Sequence, residues 1–203
     1  GSEGKFRNQV LQTAEEMAAK GYRVLAFAQR IAAENLSSSH SPTEPTDLEF
    51  LGFTGMMDPL REGVKEAIAS CRKAGIEVSI ITGDHPITAF TIAKNIGLNL
   101  NPDQVVTGAE LQNSSVEKIQ EIVKEARVFA RVAPKQKLDI VNAMQVTGHF
   151  VAVTGDGVND APALRTANIG VAMGKSGTDV AREAAEMVIS DDNFATIVRG
   201  VEK

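Results

Sequence analysis

The sequence predicts an α/β fold: a doubly wound parallel sheet, preceded by a helix–strand remnant of a different unit. Three observations predict it. From Leu48 onward, short apolar segments of strand character alternate with amphipathic helical segments, the pattern of βαβ units. Glycine- and aspartate-bearing loops follow two of those strands, where ligands bind in open α/β sheets. Residues 35–46 (Asn-Leu-Ser-Ser-Ser-His-Ser-Pro-Thr-Glu-Pro-Thr) carry three serines in a row and two prolines, and read as a linker. The expected division is therefore 1–47 and 48–203.

The first element is a helix over Phe6–Lys20, where Val10, Leu11, Ala14 and Met17 recur at helical spacing before Gly21. Tyr22–Ala28 reads as a strand. Beyond the linker, Leu48–Met57 is a strand, Arg61–Ala74 a helix closed by Gly75, Ile76–Ile81 a strand and Pro86–Ile96 a helix ended by Gly97. Val105-Val106 is a short strand, Ser115–Glu125 a helix and Arg127–Ala130 a strand; Pro134 suits the first turn of a helix reaching Gln145. His149–Val153 is nearly continuous in apolar character, as in a strand covered on both faces. Ile169–Ala172 and Met187–Ile189 are strands on either side of a helix near Asp179–Ala185.

Composition narrows the function. The 203 residues carry a net charge of −5, with 43% apolar and 23% charged residues, ordinary for a globular chain. The acidic balance, no Trp and one Tyr argue against a nucleic-acid binder, which needs a basic face or stacking platforms. No apolar run approaches the roughly 20 residues that span a bilayer. Cys71 is the one cysteine, which fits a reducing compartment, and on its helix it reads as a packed thiol. His40, His85 and His149 are scattered without metal-ligand spacing.

The chemistry concentrates in two loops and one helix. Thr82-Gly83-Asp84 follows the strand ending at Ile81, and Thr154–Leu164 (Thr-Gly-Asp-Gly-Val-Asn-Asp-Ala-Pro-Ala-Leu) follows the one ending at Val153. Asp156 and Asp160, with Asn159 between them, offer hard oxygen ligands suited to Mg²⁺. Gly83, Gly155 and Gly157 let main-chain N–H groups approach an anion. Thr82 adds a hydroxyl, and Lys137, early in its helix, adds a positive charge for phosphate oxygens. Carboxylate, metal and lysine together fit phosphoryl transfer. Taken singly, each piece has a plainer role: Thr-Gly-Asp as a turn, Asp156 and Asp160 as turn and cap residues, Lys137 as solvated surface.

The undecapeptide Thr154–Leu164 resembles the hinge sequence of P-type ATPases. The resemblance extends to Met57-Asp58-Pro59-Leu60-Arg61, Ile81–Asp84, Ala130–Lys137, Ile169–Gly174 and Ser190–Phe194, and so covers nearly the whole chain. Thr82–Ala89 is more similar to the calcium and sodium/potassium branch than to the heavy-metal branch. The resemblance implies a haloacid-dehalogenase-like phosphorylation domain at 48–203, with the end of the nucleotide-binding domain at 1–47. It implies that Asp156 binds Mg²⁺ with Asp160 in support, and that Asn159 contacts phosphate. Lys137, Thr82 and Gly83 would hold the phosphoryl group, Asp84 would order them, and Asp58 and Arg61 would lie near the nucleotide. Mg²⁺ as cofactor, ATP as substrate, and the transmembrane, actuator and nucleotide-binding domains as partners follow by the same analogy. So does a place in the cytoplasmic portion of an integral membrane protein, as a fragment itself soluble.

One departure stands out. The family's nucleophile is an Asp followed by Lys-Thr-Gly, and no Asp of this chain precedes Lys. The expectation is of a chain that begins after that residue, keeps the Mg²⁺ and phosphate half of the site, and leaves sheet edges through which copies self-associate. A stand-alone phosphatase of the same superfamily would need a second Asp two residues after its nucleophile, where Asp58 has Leu60. A degenerate Mg²⁺- or phosphate-binding module is the non-enzymatic alternative.

Overall fold

A computed structural model describes residues 2–30, 48–57 and 59–201, and divides the chain into two compact units, Gly1–Asp58 and Pro59–Lys203. In the first unit, helix α1 (Ser2–Ala19) precedes strands β1 (Arg23–Gln29) and β2 (Glu49–Met56). The strands pair antiparallel from Arg23↔Met56 to Gln29↔Glu49, with a register shift at Phe27/Ala28. Phe50 stands edge-on to Phe6 and Phe53, with ring centroids 6.2 and 5.0 Å apart. The division therefore falls after β2, whereas the linker composition sets it at residue 47. Glu49–Met56 takes β1 as its antiparallel partner and does not join the parallel strands, because a serine- and proline-rich connection can join two strands of one sheet as readily as two domains.

The second unit begins with α2 (Val64–Lys73), which buries Ala67, Ile68 and Cys71. The packed-thiol expectation for Cys71 holds. Strand β3 (Ile80–Ile81) is shorter than the apolar run that predicts it, because the Ile76 N–H caps α2 through the Cys71 carbonyl. Then follow α3 (Pro86–Asn95), β4 (Val105–Thr107), α4 (Gly108–Gln112), α5 (Val116–Glu125) and β5 (Val128–Ala130). The second half comprises α6 (Pro134–Val146), β6 (Ala152–Gly155), α7 (Ala161–Thr166), β7 (Ile169–Met173), α8 (Asp179–Ala184), β8 (Met187–Ile189) and α9 (Phe194–Val201). The short helices α4 and α7 and the terminal α9 had no expectation in the sequence pattern.

All six strands of this unit run parallel, in two three-stranded sheets ordered β3-β5-β4 and β6-β7-β8. This is the α/β architecture expected, divided into two half-sheets. Helix α6 joins them. Ile140 and Ala143 pack with Phe129 and Val132, while Val141 packs with Val151, Ala163 and Ala167, and Met144 touches both clusters. Phe129 and Ile140 are fully buried, and losing such a side chain costs about 2–5 kcal/mol.

Strand β6 departs from expectation. Its start is displaced to Ala152; Ala152 and Thr154 face solvent, and Phe150 is 75% exposed. The apolar run reads as doubly covered, but one face of this strand has no covering element among the described residues. Within the two sheets, β3 and β6 each have one partner strand.

The turn after β7 is held from a distance. Asp192, 7% exposed and at φ 54, accepts hydrogen bonds from the Lys175 N–H (2.9 Å) and Ser176 N–H (2.7 Å). Its own carbonyl accepts from the Arg61 guanidinium. The Lys175 N–H, with that of Ser176, outweighs desolvation and holds the Asp192 carboxyl at about 2, against an ordinary 3.8. A carboxyl depressed on folding stabilises fully above its unfolded value, and that contribution fades as pH falls toward the folded one. Urea unfolding of the wild type is therefore expected to lose stability between about pH 4 and pH 2 more steeply than Asp192→Asn. Equal slopes in the two proteins would remove this assignment.

Candidate functional site

In parallel sheets the loops at the strand C-termini lie on one edge. Here those loops are Thr82–Asp84 after β3, Arg131–Ala133 after β5, Asp156–Asp160 after β6 and Gly174–Thr178 after β7. The first two are tied together. The Val132 N–H donates to the Thr82 carbonyl and the Arg131 N–H to the Asp84 carbonyl, both at 3.1 Å. Thr82 and Asp84 also clasp each other: the Thr82 hydroxyl donates to Asp84 Oδ2 at 3.0 Å and accepts from the Asp84 N–H at 3.1 Å. Gly83 between them is exposed, with open space where a Cβ would stand.

Helix α6 begins after the three-residue loop that follows β5, with Pro134 in its first turn. Gln136 fixes that start, accepting from the Ala133 N–H at 2.9 Å and donating to the Gly108 carbonyl at 2.6 Å. Lys137 follows, within the first turn and a half. A cation there opposes the helix dipole, so its placement asks for a carboxylate partner. Asp160 supplies it: Lys137 Nζ lies 2.6 Å from Asp160 Oδ1, and the side chains are 21% and 16% exposed. This short, charge-assisted contact bridges the two half-sheets.

The other oxygen of Asp160 serves its own loop. Asp160 Oδ2 accepts from the Gly157 N–H at 3.0 Å and the Asp156 N–H at 3.3 Å. Glycine at 155 is required by this closure, since a Cβ there would come 2.6 Å from the Asp160 Cβ. Asp156 itself is exposed; its carbonyl accepts from the Thr178 N–H at 2.8 Å, and its carboxylate takes none of the described hydrogen bonds. Asn159 is exposed nearby in the chain.

Among the described residues no three His, Cys, Asp or Glu side chains converge as a metal cluster. The donor set is one open carboxylate at Asp156, with Asp160 committed to protein donors. That suits a hard cation that keeps most of its water and shares its remaining positions with phosphate oxygens, which is the habit of Mg²⁺. It does not suit a soft or fully dehydrated metal.

Of the residues singled out in the sequence, the structure joins Lys137 to Asp160, Asp160 to the Asp156 amide, and Thr82 to Asp84. No hydrogen bond among the described residues links the Thr82–Asp84 pair to Asp156. Arg61 is engaged with the Asp192 carbonyl. Asp58 lies outside the described residues, as do His40 and the whole linker. Three contributors escaped the sequence reading: Gln136, Thr178 and Asp192. Each acts through main-chain groups, for which residue type gives little signal.

The model of the haloacid dehalogenase-like hydrolase family matches residues 5–168. A probable cation-transporting ATPase F of Mycobacterium tuberculosis is 49% identical over 201 residues, covering 97% of this chain and 22% of that protein. The calcium-transporting ATPase 1 of Bacillus cereus is 45% identical over 97% of the chain, and the cation-transporting ATPase pma1 of Synechocystis 47% over 97%, each again over 22% of the relative. The chain thus spans about a fifth of the length of these relatives.

Gly155→Ala is expected to force Asp160 away, lowering stability by about 1–3 kcal/mol in urea unfolding and speeding hydrogen exchange at the Gly157 amide. Wild-type exchange at Gly157 would show that the loop closes without this contact.

Proposed function

The chain belongs to the haloacid dehalogenase-like hydrolases, and from that premise we propose that it serves as the phosphorylation portion of a longer ATP-driven cation pump. The observation that carries this is the Lys137–Asp160 pair set beside the open Asp156 carboxylate at the strand C-termini. Such a site suits phosphate and a hydrated divalent cation. Asp156 takes Mg²⁺, with Asp160 as the carboxylate that shapes its loop. Bound Mg²⁺ would supply neutralising charge to the phosphate oxygens. Lys137 and the Thr82-Gly83 turn hold the transferring phosphoryl group, the Gly83 N–H donating to it while Asp84 accepts from the Thr82 hydroxyl and orders the turn, and Asn159 contacts a phosphate oxygen. Asp58 and Arg61 lie on the nucleotide side.

The attacking oxygen comes from an Asp outside these residues, since Asp-Lys-Thr-Gly is absent from the sequence. That oxygen bonds to the γ-phosphorus of ATP as the bond to the β-phosphate bridging oxygen breaks, and ADP leaves. Water then hydrolyses the acyl phosphate, and the longer protein couples the cycle to ion movement. On this reading the first unit, Gly1–Asp58, closes the nucleotide-binding domain. The partners are ATP and the transmembrane, actuator and nucleotide-binding domains, the setting is the cytoplasmic face of a membrane, and the chain alone pairs with copies of itself through unpaired strand edges. None of the described helices is long and apolar enough to cross a bilayer.

Two measurements test the reading. Mg²⁺ is expected to shift the amides of Gly155–Asp160 in NMR spectra with weak affinity, and Asp156→Ala to abolish that response; an unchanged titration in the variant would remove the metal assignment. The chain incubated with Mg-ATP is expected to acquire no hydroxylamine-sensitive phosphate. Label on the purified chain would place a nucleophile within it.

A further inference from the structure

The loop Gly174-Lys175-Ser176-Gly177-Thr178 has the look of an anion cradle: it is glycine-rich, lies between β7 and α8, and turns successive N–H groups to one point. The anion it holds is internal. Asp192 fills the cradle, accepting from the Lys175 and Ser176 N–H groups at 2.9 and 2.7 Å. At its far end the same loop donates its Thr178 N–H to the Asp156 carbonyl at 2.8 Å. Space for slack along this path is small. A Cβ on Gly177 would come 2.0 Å from the Met173 carbonyl oxygen, and one on Gly174 2.7 Å from that of Ile189. Arg182 adds contacts to the Gly174 and Gly177 carbonyls.

We propose that Asp192 is a positioning residue for the phosphoryl-transfer site: its carboxylate sets the Gly174–Thr178 loop, and the Thr178 N–H thereby fixes the Asp156 main chain and the orientation of its carboxylate. The inference rests on the reading of Asp156 as the Mg²⁺ ligand. Two features argue for a positional role over a merely local one. Asp192 sits at φ 54, a region that Gly or Asn occupies at lower cost, so the fold bears conformational strain to place a carboxylate here. And Arg61, from the segment before α2, grips the Asp192 carbonyl, which ties the nucleotide-side residue to the same path.

The test uses variants that the backbone tolerates. Asp192→Asn suits the left-handed conformation and removes the charge, while Asp192→Gly relieves the strain and removes the acceptor altogether. Thr178 sits at φ −70, which proline adopts, so Thr178→Pro deletes the N–H and sets its ring against the Asp156 carbonyl, whereas Thr178→Ala keeps the N–H while losing only the cap to Ala181. In metal-free amide spectra, both Asp192 variants are expected to displace the Asp156 and Gly157 signals along with those of Lys175 and Ser176. Thr178→Pro should displace Asp156 and Gly157 alike, and Thr178→Ala should leave them in place. Mg²⁺ affinity should fall about tenfold in Asp192→Asn and Thr178→Pro, the lower range for partners one step removed from a ligand. Asp192 variants that move Lys175 and Ser176 but leave Asp156 and Gly157 at wild-type positions would overturn the proposal. A wild-type chain that gives no Mg²⁺ response refutes the metal reading alone, because the metal-free displacements still decide whether Asp192 positions Asp156.

Discussion

Everything at the site depends on helix α6 serving two sheets at once. Its inner face gives Ile140 and Ala143 to the cluster around Phe129, and Val141 to the cluster around Val151, with Met144 between them. The helix is thus a shared wall of both half-sheets. Its first turn carries Lys137 to Asp160, so the element that welds the core also sets a charged contact between the halves.

The two loops on the second half-sheet use the same device. Asp160 captures the N–H groups of Asp156 and Gly157, and Asp192 captures those of Lys175 and Ser176. In each case a carboxylate downstream in sequence folds back on two successive amides. Main-chain N–H groups in such turns would otherwise compete for any passing anion, so the internal carboxylates both satisfy donors and restrict where a phosphate is welcome. What remains open is selective: the Asp156 carboxylate, the Gly83 amide region and the Asn159 side chain.

Much of this was legible in the residues. Alternating apolar and amphipathic segments gave the parallel strands and most helices, and caps such as Ser115 and Pro134 marked starts closely. Thr82, Asp84, Lys137, Asp156 and Asp160 stood out because hydroxyl, carboxylate and ammonium groups after strands carry chemical meaning. What escaped was conveyed by the backbone. Thr178 acts through its N–H, Gln136 through two main-chain partners, and Asp192 through a fold-back across the turn, none of which residue type or spacing encodes. The exposed face of β6 was misread for a related reason: a run of valines and alanines looks alike whether or not a neighbour covers it.

The strand order has a consequence for synthesis. β3 and β4 both pair with β5 and not with each other, although β5 is made last of the three. As the chain emerges from a ribosome, residues 59–127 thus hold no completed strand pair in this unit. When Val128–Ala130 appears, fully buried in the finished fold, both ladders close on it together. Until then Ile80, Ile81, Val105 and Val106 wait as unpaired apolar segments, for several seconds at ordinary elongation rates of about 5–20 residues per second. The nascent chain is most exposed to chaperones and to misassociation in that interval, and three consecutive residues end it.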